Sequence, residues 1–110
     1  MVQSIAVNFE TIRESAASTF DGTFQTLGSA ITRPARLIKL VNNTDQDLDF
    51  SFNGTDQHDF VPAGGFSLYD FTSNRVLERF EMQAITQVYV RSAGGAGTGD
   101  VYLIVIGAQP

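Results

Sequence analysis

Carboxylates are the residues of this chain with the greatest capacity for chemistry, and five aspartates fall within positions 45–59. They are Asp45, Asp47, Asp49, Asp56 and Asp59. Calcium prefers several carboxylate oxygens around one point, so these residues could form a cation site. An EF-hand loop is excluded because its sixth position needs glycine, and Phe50 stands there. A solvated strand face followed by its turn is the main interpretation, and a calcium site is the alternative.

His58 is the only histidine of the chain. Asp56 and Asp59 could orient it, but catalysis also requires a nucleophile or a second ligand at a recognisable spacing. The sequence offers no such spacing. We therefore interpret His58 as a hydrogen-bonded surface residue.

Asp70 with Glu78 or Glu81 could be read as the carboxylate pair of a glycosidase. Their spacing gives this reading no support over a chance distribution, and Asp70 is better placed to bond backbone at a strand end. The sequence therefore predicts no enzyme, no catalytic residue and no cofactor.

The glycine-rich stretch from Gly94 to Gly99 superficially suggests a phosphate-binding loop. A Walker loop needs Gly-Lys-Ser/Thr, and a dinucleotide-binding turn needs a helix to follow, whereas a strand pattern follows here. We expect a flexible hairpin loop that becomes ordered against a neighbouring molecule. Gly94, Gly95 and Gly97 are accordingly candidate subunit-interface residues.

Three of the seven basic residues gather between positions 33 and 39, just before the acidic stretch. Charge matching between the two groups, within or between subunits, is the simplest explanation of this arrangement. The predicted interface residues are therefore Arg33, Arg36 and Lys39 on the basic side, with Asp45, Asp47 and Asp49 on the acidic side.

The composition is that of one globular domain, with 110 residues, 43% hydrophobic and 17% charged. A net charge of −5 argues against nucleic acid or an anionic membrane as the main partner. No cysteine is present, so the chain needs no oxidising compartment. The start of the chain lacks a signal-peptide pattern, and its longest apolar run, 101–106, is too short to span a bilayer.

Residues 48–52 alternate between an apolar side and a polar side, which predicts a strand. Asn53-Gly54 follows, a pair that suits a tight hairpin turn. Residues 35–41 are nearly apolar on both sides and predict a central strand covered on both faces. We expect 48–52 to be its hairpin partner, and Phe50 and Phe52 to be the positions most sensitive to alanine.

Further strands are predicted at 23–27, 59–61, 66–71, 87–91 and 100–106, with a turn at 72–75 and a mixed run at 76–82. Turn residues interrupt the pattern every eight to twelve positions, as in antiparallel sandwiches. The predicted fold is all-β, an antiparallel β-sandwich or jelly-roll-like barrel of about seven to eight strands. Residues 1–22 are predicted to be an extended N-terminal arm with a short helical turn, and 23–110 the sandwich domain.

Residues 37–55 read LIKLVNNTDQDLDFSFNGT, and residues 59–74 read DFVPAGGFSLYDFTSN. With VYVR at 88–91 and GDVYL at 99–103, this progression resembles small virion proteins of tailed bacteriophages. The resemblance covers roughly residues 20–107 and consists of turn and strand signals. It implies a β-sandwich building block of the head, neck or tail, and no catalytic residues.

The expected function is therefore that of a non-enzymatic virion protein, assembled in the host cytoplasm. It would form a homo-oligomeric ring or lattice at the head–tail junction or tail, contacting other head, neck or tail proteins. An arm or loop could add to a neighbour's sheet edge. A capsid decoration protein is the alternative, followed by a carbohydrate- or calcium-binding sandwich module.

Overall fold

The computed structural model of the chain describes residues 7–32, 35–70 and 86–108. These ranges contain nine strands and one short 3₁₀ turn at Ala17–Thr19. The strands are β1 (Val7–Phe9), β2 (Arg13–Ala16), β3 (Gln25–Thr26), β4 (Ala35–Thr44), β5 (Leu48–Ser51), β6 (Asp59–Val61), β7 (Phe66–Asp70), β8 (Tyr89–Arg91) and β9 (Gly99–Ala108).

The strands form two antiparallel sheets. Sheet A has the order β1–β9–β4–β7. β2 also pairs with β9, on the same side as β1 but along a different part of the strand. Sheet B has the order β3–β8–β5–β6. Each sheet is thus four strand positions wide, which confirms the predicted antiparallel β-sandwich.

The core lies between the sheets because alternate residues of each long strand point inward. Ile38 and Leu40 of β4 and Leu103 of β9 are fully buried, as are Leu48 and Phe50 of β5. Each such side chain contributes about 1.5–3 kcal/mol relative to exposure. β4 is central, as predicted, between β7 and β9.

The predicted hairpin between residues 35–41 and 48–52 is wrong, since β4 lies in sheet A and β5 in sheet B. Side-chain hydrogen bonds turn the chain from one sheet to the other. The buried amide of Asn42 donates to the carbonyls of Gln46 (2.8 Å) and Val61 (2.9 Å). Its oxygen accepts from the N–H (3.1 Å) and hydroxyl (2.6 Å) of Thr44. These bonds take the place of a hairpin ladder.

The predicted tight turn at Asn53-Gly54 is part of a longer connection. The last β5–β6 pair is Phe50 with Asp59, so residues 51–58 lie between the paired positions. Gly54 adopts a positive φ of 81°. The side chain of Asn53 accepts from the N–H groups of Thr55 and Asp56, both at 2.9 Å, and such bonds shape a wider loop.

The described part of the predicted N-terminal arm lies along its own chain. β1 and β2 pair with β9, and Ala17 and Phe20 enter the core. The predicted short helical turn is the 3₁₀ turn. The domain boundary at residue 22 stays a prediction, and the predicted turn at 72–75 and run at 76–82 lie outside the described residues.

Candidate functional site

The predicted interface residues Asp45, Gly94 and Gly97 lie together at one end of the sandwich. The carboxylate of Asp45 accepts a 2.9 Å hydrogen bond from the N–H of Thr98, and this bond lowers the pKa of this exposed group. A Cβ atom at Gly94 would come within 2.7 Å of the side-chain oxygen of Gln46, and one at Gly97 would overlap Asp45. A side chain at either position would therefore displace Gln46 or Asp45 where the loop packs on the β4–β5 corner.

The glycine-rich loop is a crossing between sheets, so the expectation of a hairpin is wrong. It leads from β8 in sheet B to β9 in sheet A. The N–H of Gly97 donates to the carbonyl of Ala17 (3.0 Å), and the N–H of Gly95 donates to that of Ser92 (3.1 Å). Gly95 has open space beside it and a φ of 86°. Its role in a subunit contact stays a prediction.

Asp47 and Asp49 do not share the partner of Asp45, and each bonds to a different group. Asp47 accepts from the N–H of Ala63 at 3.0 Å and fixes the turn before β7. Asp49 on β5 forms an ion pair with Arg91 on β8, with 2.9 Å between the carboxylate and Nη2. The guanidinium of Arg91 also lies 4.2 Å from the centre of the Phe24 ring.

Two of the three predicted basic residues, Arg36 and Lys39, belong to the described residues, and neither forms an ion pair with these acids. Arg33 lies outside the described residues, and Arg36 sits where the β4–β9 register shifts. The ammonium of Lys39 lies 5.0 Å from the centre of the Phe66 ring. Charge matching between subunits stays a prediction. Within the described ranges, no group of three or more His, Cys, Asp or Glu is arranged to hold a metal ion.

His58 holds the β5–β6 loop. Its Nδ1 accepts from the N–H of Phe52 (3.0 Å), its own N–H donates to Phe50 (2.8 Å), and its ring stacks on Phe52. Asp59 instead accepts from the Tyr69 hydroxyl at 2.5 Å. Burial, together with this carboxylate, raises the pKa of Tyr69. These contacts show that His58 stabilises the β5–β6 loop.

Asp70, proposed as one member of a glycosidase pair, lies exposed on β7 opposite Leu37. Its two possible partners, Glu78 and Glu81, lie outside the described residues. The structure therefore does not test that pairing.

Sequence reasoning missed a buried ion pair between Glu10 and Arg13, whose side chains are 4% and 7% exposed. Their separation is 2.8 Å, and Arg13 also donates to the carbonyls of Ser29 and Ala30 at 2.7 Å. This network ties the β1–β2 edge to residues 28–32. The backbone of Gly28 runs so close that a Cβ there would lie 2.6 Å from the Cβ of Arg13.

A β-bulge explains why the pair was missed. Phe9 pairs with Ile106 and Arg13 pairs with Leu103. The four-residue separation from Phe9 to Arg13 therefore lies opposite a three-residue separation on β9. The extra residue places Arg13 on the inward side, and no local pattern signals this.

An open cleft of about 450 Å³ lies beside the bulge, lined by Phe9, Ile12, Arg13 and their neighbours. The three guanidinium nitrogens of Arg13 donate to groups of its own chain.

The most extensive functional candidate is the outer surface of sheet A. Pairing of β7, β4, β9 and β1 places outward residues in rows across the sheet. We call the following set the apolar face: Phe9, Leu37, Val41, Phe66, Leu68, Tyr102, Ile104 and Ile106. Phe9, Phe66 and Leu68 are 72%, 62% and 51% exposed, and the other five are half-buried. Lys39 is the charged residue in the middle of these rows, and Asp70 and Glu14 lie at their edges.

The described part of the chain contains no helix with the length and apolar character needed to cross a membrane. Comparison of the chain with protein-family models, with curated proteins and with solved structures found no match.

Proposed function

We propose that this chain is a non-enzymatic structural protein of a tailed-bacteriophage particle, which self-associates at the head–tail junction or in the tail. The observation that carries the proposal is the apolar face. Contiguous apolar surface of this kind is uncommon on solitary soluble domains and marks a surface for another molecule. The resemblance of residues 37–55 and 59–74 to small virion proteins supplies the type of assembly.

The contacts of the polar residues support a structural role. Asp45, Asp47 and Asp49 each bond to a group that fixes a loop or a strand pair. His58 closes the β5–β6 loop through its ring nitrogen and its backbone N–H. The side chains with the greatest capacity for chemistry are thus engaged in holding the sandwich together.

Assembly would join copies of this chain in a ring or lattice and attach them to other head, neck or tail proteins in the host cytoplasm. In sheet B, the described strands end at β3 and β6, whose edges could accept a neighbouring strand. Arg36 and Lys39 could add charge-complementary contacts to acids of another copy. Repetition around a closed ring strengthens a weak contact through avidity.

The proposal is tested on purified particles of the phage whose genome encodes this chain. We expect mass spectrometry of purified virions to detect the chain, and cryo-EM to show a two-sheet density repeated around the neck or tail. Deletion of the gene should leave filled heads without functional tails. A chain absent from virions would overturn the proposal.

The same deletion separates the neck or tail from the capsid surface. Loss of a decoration protein weakens heads that still carry tails, so particles would assemble and then break on osmotic shock. That result would move the protein to the capsid surface and reject the neck or tail position.

A further inference from the structure

We propose that the apolar face is a homotypic interface, on which the same face of a second copy packs sheet on sheet. This inference rests on the proposed function and deepens it by naming the surface and the partner. The two copies would be related by a two-fold axis that runs parallel to the strands, between β4 and β9.

The face has the size that such a contact needs. Four strands about 4.8 Å apart and three rows about 7 Å apart give a footprint of about 400 Å². Interdigitating side chains bury more surface than this projection, approaching the roughly 800 Å² per partner of a standard interface. The face could therefore supply the apolar centre of a dimer interface.

The arrangement of the residues suits a two-fold contact along the strands. Such an axis places β4 over β9 of the other copy and keeps each row opposite itself. Val41 would then pack over Tyr102, and Lys39 over Ile104, because these pairs share rows. The central pairs Val41–Tyr102 and Leu37–Ile106 are apolar, and Lys39 does not meet Lys39. At the edge of the contact, Asp70 of one copy lies over Phe9 of the other. An axis perpendicular to the strands through that row would bring the two lysines together.

Charge complementarity adds a second argument for this partner. The ammonium of Lys39 lies over the Phe66 ring, at one end of its row. The other end of that row is Glu14 on β2, which is exposed and pairs with Tyr102. The two-fold axis exchanges these ends, so Lys39 of each copy lies close to Glu14 of the other. Within one chain, β9 lies between Lys39 on β4 and Glu14 on β2, and the two residues pair with different residues of β9.

The inference is tested by sedimentation equilibrium of the full chain. Leu68→Gln on sheet A is compared with Phe60→Gln on sheet B, two edge-strand residues that are 51% and 50% exposed. We expect Leu68→Gln to raise the dimer dissociation constant about a hundredfold, because the two-fold contact buries this leucine twice. Phe60→Gln should change it by less than about twofold. Thermal unfolding monitored by circular dichroism checks that both variants fold.

A charge exchange tests the arrangement itself. Lys39→Glu should weaken association about tenfold, because it places two acids together at each end of the interface. Adding Glu14→Lys should restore the wild-type constant within about threefold, since the pair is re-formed with reversed sign. A role of either residue in the fold of one chain would not produce this rescue.

The outcomes separate the interface from the proposed function. Equal effects of Leu68→Gln and Phe60→Gln, or failure of the charge exchange, would overturn the inference even if the chain is found in virions. A wild-type chain that stays monomeric at millimolar concentration would overturn it as well. A dimer with the expected variant behaviour, in a chain absent from virions, would uphold the interface and reject the phage assignment.

Discussion

The outer faces of the two sheets differ in the types of residue that they carry and in the contacts of those residues. On sheet B, Asp49 and Arg91 form an ion pair, and the Arg91 guanidinium lies against Phe24. On sheet A, neighbouring rows carry valine, leucine, isoleucine and aromatic residues, with Lys39 among them. The inner faces of both sheets are apolar and pack into one core.

The difference shows that strand alternation has two separate consequences in this molecule. Inward residues on both sheets stabilise the monomer, and the polar residues outside sheet B do so too by bonding to one another. The apolar residues on the outer face of sheet A contribute less to the stability of the monomer, because a large part of their surface remains in water. Substitutions on sheet B should therefore change the free energy of unfolding, and substitutions on the apolar face should change association.

The largest effect on stability is expected at the edge that completes the apolar face. Arg13→Met would remove a buried cation and leave the Glu10 carboxylate without its main partner, together with two backbone carbonyls. Breaking a buried pair in this way costs about 3–5 kcal/mol. Urea unfolding at concentrations where the chain is monomeric measures the change.

Lys39→Met is the matched control, since it removes a cation from the outward side of sheet A. We expect its effect on the free energy of unfolding to stay within about 0.5 kcal/mol. Comparable losses in the two variants would contradict the distinction between edge stability and outer-face association.

The second largest effect is expected at the corner that assigns β4 and β5 to different sheets. Asn42→Ala removes an amide that satisfies the carbonyls of Gln46 and Val61 and the N–H of Thr44. The Gln46 carbonyl keeps a bond from the Thr44 hydroxyl, whereas the Val61 carbonyl and the Thr44 N–H lose the Asn42 partner at a cost of about 1–3 kcal/mol each. We expect a loss of about 2–4 kcal/mol in urea unfolding. The neighbouring Asn43→Ala, at an exposed position, should cost less than about 0.5 kcal/mol.

The positions of β3 to β9 could be predicted because alternation and turn residues are local signals, whereas β1 and β2 lie in the segment predicted to be an extended arm. The stretches around Phe50, Val61, Tyr69 and Leu103 all coincide with strands of the structure. The assignment of strands to sheets could not be predicted in the same way. It depends on Asn42 reaching the carbonyl of Val61, a contact between residues far apart in the sequence.

The candidate surfaces were predictable only in part. The proximity of Asp45 to the glycine loop could not be foreseen, because both predictions assumed hairpins where the chain changes sheets. The Glu10–Arg13 pair depends on a one-residue bulge, which no local pattern announces. The apolar face became visible only when the register placed Phe66, Val41 and Tyr102 in one row.

A smaller effect is expected for the ion pair of sheet B. Asp49→Asn and Arg91→Gln, singly and together, form a double-mutant cycle that isolates the interaction of the two side chains. Both groups retain some exposure, so water screens the pair, and we expect a coupling of about 0.5–1 kcal/mol. The dimer dissociation constant should not change in any of the three variants. A shift in that constant would mean that sheet B also contributes to association.

The smallest effect is a weakening of the glycine loop in acid. The hydrogen bond from Thr98 lowers the pKa of Asp45 in the folded chain, below the ordinary aspartate value of about 3.9. The bond to the charged carboxylate therefore contributes fully above the unfolded-state pKa, and the contribution is lost as pH falls through the folded-state pKa. We expect amide exchange at Thr98, corrected for its intrinsic pH dependence, to lose protection over that interval.

In Asp45→Asn the amide oxygen still accepts the bond but does not titrate, so protection should stay constant. The same acid-dependent loss in that variant would show that another group controls the loop.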